Sequence, residues 1–228
     1  METNKSGFFW FLLGSTKYKM FNFMVSIITL LVLSAVLENY EYGFIFLNVA
    51  SSVVFILGTY AAGRNKKNVI ILILLGLPWF LSEWIYTRSS ETIFVSILFF
   101  IFITGTLIDH IVNTKKVTAD TLYAAVCVFL LLGLLWASIY NYLEYISPEI
   151  IFIKNNSDIV NTLSSNEYIY YSYTTLTTLG YGDISSLTSI GRMLSVLEAI
   201  TGQLFLAFLV ARLVAIYTAN AMRGDAGS

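Results

Sequence analysis

Six long apolar runs, separated by short polar segments, constrain the folding of this 228-residue chain more than any other feature. They lie at about 20–37, 43–62, 68–87, 92–112, 120–146 and 188–220. A helix needs roughly 20 apolar residues to cross a bilayer. Because the bilayer core contains no water, backbone polar groups must bond within the crossing segment, and a helix achieves this. The pattern therefore predicts an all-α membrane protein with six transmembrane helices.

The composition also indicates that the bilayer is the solvent of this chain. Hydrophobic residues make up 57% of it and charged residues 12%, whereas charged residues are about 25% of a typical soluble domain. The formal net charge of −1 leaves no basic surface, so we expect the lipid bilayer as a partner and no nucleic acid. No catalytic triad, carboxylate pair or metal-ligand spacing occurs, so the sequence predicts neither an enzyme nor a cofactor.

Lysine and arginine residues predict the orientation of the chain, because cytoplasmic loops of membrane proteins carry an excess of them. With the N-terminus in the cytoplasm, the outer segments hold only Arg88, Lys154 and Arg192. The inner segments hold Lys5, Lys17, Lys19, Arg64, Lys66, Lys67, Lys115, Lys116 and Arg223. We therefore expect both termini in the cytoplasm and the chain in a bacterial plasma membrane. Residues 1–19 would be a cytoplasmic segment, interfacial or disordered, and 221–228 a short cytoplasmic tail.

The long outer connection, 147–187, contains an apolar stretch that is too short to cross the membrane. Residues 167–178 would form a helix of roughly 18 Å, which must enter the membrane and return. Gly180 and Gly182 then alternate with ordinary residues. Glycine accepts positive φ without steric cost, so this alternation lets successive carbonyls face one side. A row of carbonyls can coordinate a cation, and the C-terminal end of the half-helix adds partial negative charge.

The segment TTLGYGD at 177–183 resembles the selectivity filter of potassium channels, usually written T-V/I-G-Y-G-D. The resemblance extends over 120–220 and implies a pore domain there, built from an outer helix, a turret, a pore helix, the filter and an inner helix. It further implies a homotetramer around one axis, with K⁺ as the permeant ion. Residues 20–112 would then be a separate four-helix transmembrane domain.

The resemblance also assigns roles to single residues. The carbonyls of Thr178, Leu179, Gly180 and Tyr181 would bind K⁺, the Thr178 hydroxyl would complete the innermost site, and Gly182 would end the filter. The residues implied to support the filter from behind are Asp183, Tyr170, Tyr171, Thr174 and Thr177. Two positions depart from the family pattern. Leu179 replaces the usual β-branched residue, and Thr174 replaces a glutamate that often bonds the aspartate.

Glu198 and Gly202 interrupt the last apolar run. An acid within a membrane span is costly and usually functional or paired. Glu198 is therefore expected either to brace the filter, by bonding pore-helix hydroxyls such as Thr174 or Thr177, or to act as a proton-sensitive switch on that brace. The resemblance makes Gly202 a gating hinge, whereas a small residue can equally serve close helix packing. Arg212, nearer the inner end, is expected to snorkel to lipid headgroups or to pair within the helix bundle.

The fourth run, 92–112, contains no arginine or lysine. A voltage sensor needs repeated arginines on this helix, because each charge moved through the field contributes to the gating energy. The sequence thus predicts a potassium-selective channel that is not conventionally voltage-gated. Two alternatives stay open. If Leu179 loosens the filter, the chain would be a weakly selective cation channel, and a non-conducting membrane scaffold is the other alternative.

Overall fold

A computed structural model of the chain describes residues 18–37, 40, 42–63, 65–85, 89–114, 118–147, 152–154, 158–160 and 163–225. Within these residues the helices are α1 Lys19–Leu37, α2 Gly43–Ala62, α3 Lys66–Ile85, α4 Ser90–Asn113, α5 Ala119–Ile146, α6 Ser165–Leu176 and α7 Ser189–Asp225. The strands are β1 Phe152–Lys154, β2 Asp158–Val160 and β3 Ile184–Ser186. Most of the predicted N-terminal segment, 1–19, lies outside the described residues.

Five of the described helices are long and apolar enough to cross a membrane: α1, α2 from Ile45, α4, α5, and α7 as far as Ile216. Each coincides with a predicted run, so the prediction of a mainly helical, multi-pass membrane protein is confirmed. Helix α3 lies where the third span was predicted, but several side chains near its end fall outside the described part. A span at α3, which would bring the total to six, therefore stays a prediction. Helix α7 continues past the predicted end at residue 220, so part of the predicted tail is helical.

Helices α1 and α4 pack against helix α5 of their own chain, and α2 and α3 pack against α1, α4 and each other. One continuous core contains Phe23 and Ile27 from α1, Ile103 and Leu107 from α4, and Leu131 from α5, all at most 1% exposed. Because lipid tails are as apolar as these side chains, close packing rather than removal from water holds them together. The four-helix region and the last part of the chain therefore share one hydrophobic core.

A small antiparallel sheet in the outer connection was not predicted from the sequence. Its strand order is β2-β1-β3, and β1 pairs Phe152 with Ser186 of β3. The Phe152 side chain is fully buried, with its ring packed edge-on against those of Tyr140, Tyr168 and Tyr171. Three-residue strands give too little alternation to be recognised from sequence. The sheet ties the segment before α6 to the segment that follows the glycine-rich turn.

Arg212 attaches α7 to the C-terminal end of α4. Its Nε lies 3.2 Å from the Ile111 carbonyl oxygen, and its Nη2 lies 3.0 Å from the same oxygen and 3.1 Å from that of Thr114. The same Nη2 also donates to the carbonyl of Val112. The last carbonyls of a helix have no partner within it and carry partial negative charge. The guanidinium therefore caps α4, which is the bundle-pairing alternative predicted for this residue.

We expect Arg212→Met to lower the free energy of unfolding by about 1 to 2 kcal/mol, because it removes charge-assisted bonds to the last carbonyls of α4. Thermal unfolding in detergent micelles measures the loss. Arg212→Lys is the control, since one ammonium keeps the charge but cannot reach several carbonyls in the same geometry. It should lose less than the Met variant. A Met variant as stable as the wild type would show that the cap contributes nothing.

Candidate functional site

Helix α6 is a half-helix fixed at its start by a capping box. The Ser164 hydroxyl accepts a hydrogen bond from the Glu167 backbone N–H at 3.3 Å, and the Glu167 carboxylate accepts one from the Ser164 N–H at 2.8 Å. These bonds satisfy two donors that the first turn would otherwise leave free. The predicted half-helix at 167–178 is thus confirmed as Ser165–Leu176, with its start at the predicted cap.

The packing of α6 on α5 depends on a glycine. The ring of Tyr173 lies against Gly133, where an added Cβ would come within 2.4 Å of a ring carbon. The Tyr173 hydroxyl donates to the Leu130 carbonyl at 2.7 Å, and the Ser172 hydroxyl donates to the Gly133 carbonyl at the same distance. Two hydroxyls of α6 therefore bond the backbone of α5, which fixes the position of the half-helix.

The chain turns back on itself directly after α6. The Thr178 N–H donates to the Thr175 carbonyl at 2.9 Å, and the Gly180 N–H donates to the Thr174 carbonyl at 3.0 Å. The backbone has positive φ at alternate residues: 59° at Thr178, 51° at Gly180 and 78° at Gly182. The two glycines were predicted to adopt such angles. Thr178 was not, and as a β-branched residue it carries about 1 to 3 kcal/mol of strain.

The carbonyl groups of this turn are not used in the folding of the described chain. Within the described part, no donor bonds the carbonyl oxygens of Thr178, Leu179, Gly180 or Tyr181. The side chains are open as well, with Leu179 55% and Tyr181 70% exposed. Non-helical backbone at membrane depth is tolerated only where it is buried in protein or lines a watery cavity. The segment therefore faces an environment that a single copy of the chain does not supply.

Asp183 is held behind the outer end of the turn. The Tyr170 hydroxyl donates to one of its carboxylate oxygens at 2.8 Å, and the Ile184 N–H donates to the other at 3.0 Å. Tyr170 thus reaches the segment it was predicted to support. Tyr171 is buried with its hydroxyl 2.5 Å from that of Ser195 on α7, and its predicted role behind the filter stays a prediction.

The hydroxyls of the two predicted support threonines bond within their own helix. Thr174 donates to the Tyr171 carbonyl at 3.0 Å and Thr177 to the Tyr173 carbonyl at 2.6 Å. Thr174 meets the turn through its own carbonyl, which accepts from Gly180. In the potassium channel family, a glutamate at this position often bonds the aspartate that follows the filter. The Thr174 hydroxyl instead bonds the backbone of its own helix.

Glu198 joins three helices from a fully buried position. Its Oε2 accepts from the Tyr140 hydroxyl of α5 at 2.7 Å, and its Oε1 lies 2.5 Å from the Ser172 hydroxyl of α6. The expectation of a pore-helix hydroxyl was right in kind, but the predicted partners Thr174 and Thr177 were wrong. A signal for Ser172 existed in the sequence, since it shares the four-residue spacing of the buried face of α6.

Gly202 marks the point where α7 crosses the end of α6. A Cβ added there would lie 2.2 Å from the carbonyl oxygen of Leu176, the last residue of α6. The obstacle is backbone, which cannot rotate away as a side chain can. The close-packing interpretation of this glycine accounts for the geometry. Its predicted role as a hinge stays a prediction.

Comparison with known proteins concerns this same part of the chain. Residues 128–219, which run from within α5 through α6 and the turn into α7, match the model of a family described as ion channel. The match covers less than half of the chain and supports an ion channel family for that part, hence a transport protein of the membrane rather than an enzyme. The searches of curated proteins and of solved structures gave no match.

We expect Gly202→Ala to destabilise the protein by about 1 to 3 kcal/mol, because α7 must move away from the end of α6 to admit the methyl group. Gly105→Ala is the matched control, since Gly105 also lies within a transmembrane helix but a Cβ there meets no atom within 4 Å. The control should gain up to about 1 kcal/mol from helix propensity. Thermal unfolding of both variants in detergent tests the contact, and equal stabilities would refute it.

We expect Glu198→Leu to cost about 1 to 3 kcal/mol, because it leaves the buried Tyr140 hydroxyl without its acceptor. Glu198→Gln should cost clearly less, since the amide keeps the shape, an acceptor oxygen and a donor for the Ser172 oxygen. Thermal unfolding compares the two variants. If the Gln and Leu variants lose equal stability, the carboxyl group does not stabilise the protein by bracing these helices.

Proposed function

We propose that this chain is a potassium-selective channel, assembled as a homotetramer in a bacterial plasma membrane with both termini in the cytoplasm. The observation that carries the proposal is the turn at 177–183, where positive φ at alternate residues accompanies four carbonyls that receive no bond from the described residues. The match to ion channels over 128–219 supports passive ion conduction. Potassium as the ion follows from the resemblance of TTLGYGD to potassium filters.

In the proposed mechanism, K⁺ sheds its water and carbonyl oxygens replace the hydration shell. The carbonyls of Thr178, Leu179, Gly180 and Tyr181 would supply the ligands, and Gly182 would end the row. One chain contributes one row, so a closed coordination shell needs rows from several copies. The C-terminal end of α6 directs partial negative charge toward the same place, which favours cations over anions.

The surface of α7 supports assembly. Large apolar side chains are exposed along it on more than one face, with Ile190, Leu204 and Phe208 on one face and Val196, Val210 and Val214 on another, each 51% exposed or more. Lipid can cover the face on one side of such a helix, but Leu179 and Tyr181 beside it are exposed too. Further copies of the chain would cover the remaining face together with the turn. Fourfold symmetry is the arrangement implied by the filter resemblance.

The proposed channel lacks a conventional voltage sensor. Helix α4 contains neither arginine nor lysine, and His110 is the one basic residue of its last turn. Movement of this helix in the membrane field would transfer little charge. A stimulus other than voltage must therefore set the open probability.

A weakly selective cation channel is the second candidate, and Leu179 is the residue that favours it. Its side chain is 55% exposed in a single chain and must pack behind the filter on assembly. A γ-branched side chain packs differently there from the β-branched residue that the family usually has. Looser packing would let the carbonyl positions adapt to Na⁺.

The test is ion flux in liposomes that contain the purified protein. We expect K⁺ flux to exceed Na⁺ flux and Ba²⁺ to block it. Gly182→Ala should abolish the flux while the protein still folds, because an alanine at a φ of 78° costs about 1 to 2 kcal/mol and shifts the carbonyls. Gly105→Ala is the control that should keep the wild-type flux.

Each other outcome of the flux measurement supports a different function. Equal K⁺ and Na⁺ fluxes would favour the weakly selective channel. No flux at any voltage or pH would favour a non-conducting scaffold. If Glu198→Gln conducts like the wild type at every pH, Glu198 is a brace, whereas loss of a pH response in that variant would identify a proton-sensitive switch.

A further inference from the structure

A cavity of about 490 Å³ lies between helices α1, α2, α4 and α5, Trp79 of α3 and the start of α6. It is separate from the proposed ion path, which follows the turn after α6. Its volume falls in the range of about 300 to 1,000 Å³ that is typical of small-molecule sites. No charged side chain lines it among the described residues.

The polarity of the cavity changes along its length. On each of the four long helices, a hydroxyl-bearing lining residue lies nearer the end at which α6 begins than most of the apolar lining residues do, although Leu47 of α2 and Ile93 of α4 also lie at that end. On α4, for example, Ser96 precedes Phe99 and Ile103, and on α5 Ser138 follows Leu134. Neighbouring helices run in opposite directions, so these positions collect at one end. The cavity is therefore amphipathic, with one polar end and one apolar end.

The hydroxyls at the polar end offer acceptors rather than donors. Four of them donate to a backbone carbonyl of their own helix at 2.7 to 3.0 Å: Ser34, Ser51, Ser96 and Ser138. A hydroxyl has one hydrogen and two acceptor lone pairs. With the hydrogen committed, acceptor capacity remains. A ligand that donates a hydrogen bond matches this end, and a charged ligand would be buried without a counter-charge.

We propose that this cavity is a binding site for a small uncharged amphiphile, with a hydrogen-bond-donating head such as a hydroxyl at the polar end and an unbranched apolar tail among the aromatic side chains. A two-chain phospholipid is a poorer match, since the described lining holds no cation for its phosphate. The site takes one apolar tail with an uncharged head.

The site adjoins the half-helix that carries the turn. Ser165 and Asn166 of its first turn line the polar end, and the Asn166 side chain donates to the Ser34 carbonyl of α1 at 3.0 Å. An occupant presses on the start of α6, and the filter segment begins where α6 ends. Binding therefore changes conduction, and this consequence, unlike the binding itself, rests on the proposed channel function.

The binding test uses the full-length protein in vesicles and octan-1-ol that carries a photoactivatable diazirine at its tail. We expect saturable labelling of cavity residues on α1, α2, α4 and α5, located by mass spectrometry. Unlabelled octan-1-ol should displace the probe, whereas octanoate, with the same tail and a charged head, should not. Unsaturable labelling spread along exposed positions of α7, or equal displacement by octanoate, would overturn the site.

Cavity-filling variants provide the matched comparison. Ser51→Phe fills the cavity from α2 and should weaken labelling by about tenfold. Val49→Phe adds the same side chain to the same helix at a residue that is 50% exposed and does not line the cavity, so it should label like the wild type. If Ser51→Phe does not fold, Ser34→Leu fills the cavity from α1, with the exposed Val36→Leu as its control. Undiminished labelling in a folded filling variant would refute the proposal.

Flux separates the site from the function. Saturating octan-1-ol should change the K⁺ flux of the wild type and leave that of Ser51→Phe unchanged, which controls for effects of the alcohol on the bilayer. Saturable labelling of a protein that conducts no ion would count against the channel function and keep the site. Saturable labelling with an unaltered flux in a conducting protein would refute the link to α6.

Discussion

Exposed backbone carbonyls at membrane depth are the constraint on which the rest of this structure depends. A bilayer core supplies no hydrogen bonds, so the turn at 177–183 must be held by protein while its carbonyls stay open. Every contact that fixes the turn leaves those oxygens free. The Gly180 N–H bonds back to Thr174, and Asp183 is fixed through its carboxylate. Strand β3 then ties the outgoing chain to β1. The inward bonds of the segment use backbone N–H groups and the Asp183 carboxylate, and its carbonyl oxygens stay open.

Support for the turn passes through α6, which needs partners on both sides because it is too short to be stable alone. Gly133 lets α5 approach the ring of Tyr173, and Gly202 lets α7 approach the carbonyl of Leu176, the last residue of α6. Glu198 then connects all three helices through hydroxyls. The partners of this carboxyl group are neutral hydroxyls, so there is no second buried charge, whose desolvation would oppose the gain from pairing. Close packing and hydrogen bonding thus act on the same half-helix.

Helix existence and approximate ends could be predicted, because length, apolar runs and the Ser164–Glu167 cap are local signals. The half-helix and the glycines after it could be predicted because the apolar stretch at 167–178 is too short to cross the membrane and must return. The partner of Glu198 could not be predicted as readily, since it depends on which face of α6 meets α7. Positive φ at Thr178 was missed because threonine rarely adopts it. For Arg212, the sequence left lipid headgroups and the helix bundle as equal alternatives, because it does not show that the end of α4 lies beside this residue. These misses are all contacts between distant parts of the chain or backbone angles imposed by them.

The first four helices reach the proposed conduction path at two levels. At one end, Asn166 of α6 bonds the Ser34 carbonyl of α1, next to the polar end of the cavity. At the other, Arg212 of α7 caps the last turn of α4. Because α4 has no lysine or arginine to respond to the membrane field, a signal from these helices must be mechanical. A ligand that displaces α1 or α4 acts first on the start of the half-helix or on α7 at Arg212. Both contacts lie within one chain, so each subunit of an assembly would receive the signal from its own four helices.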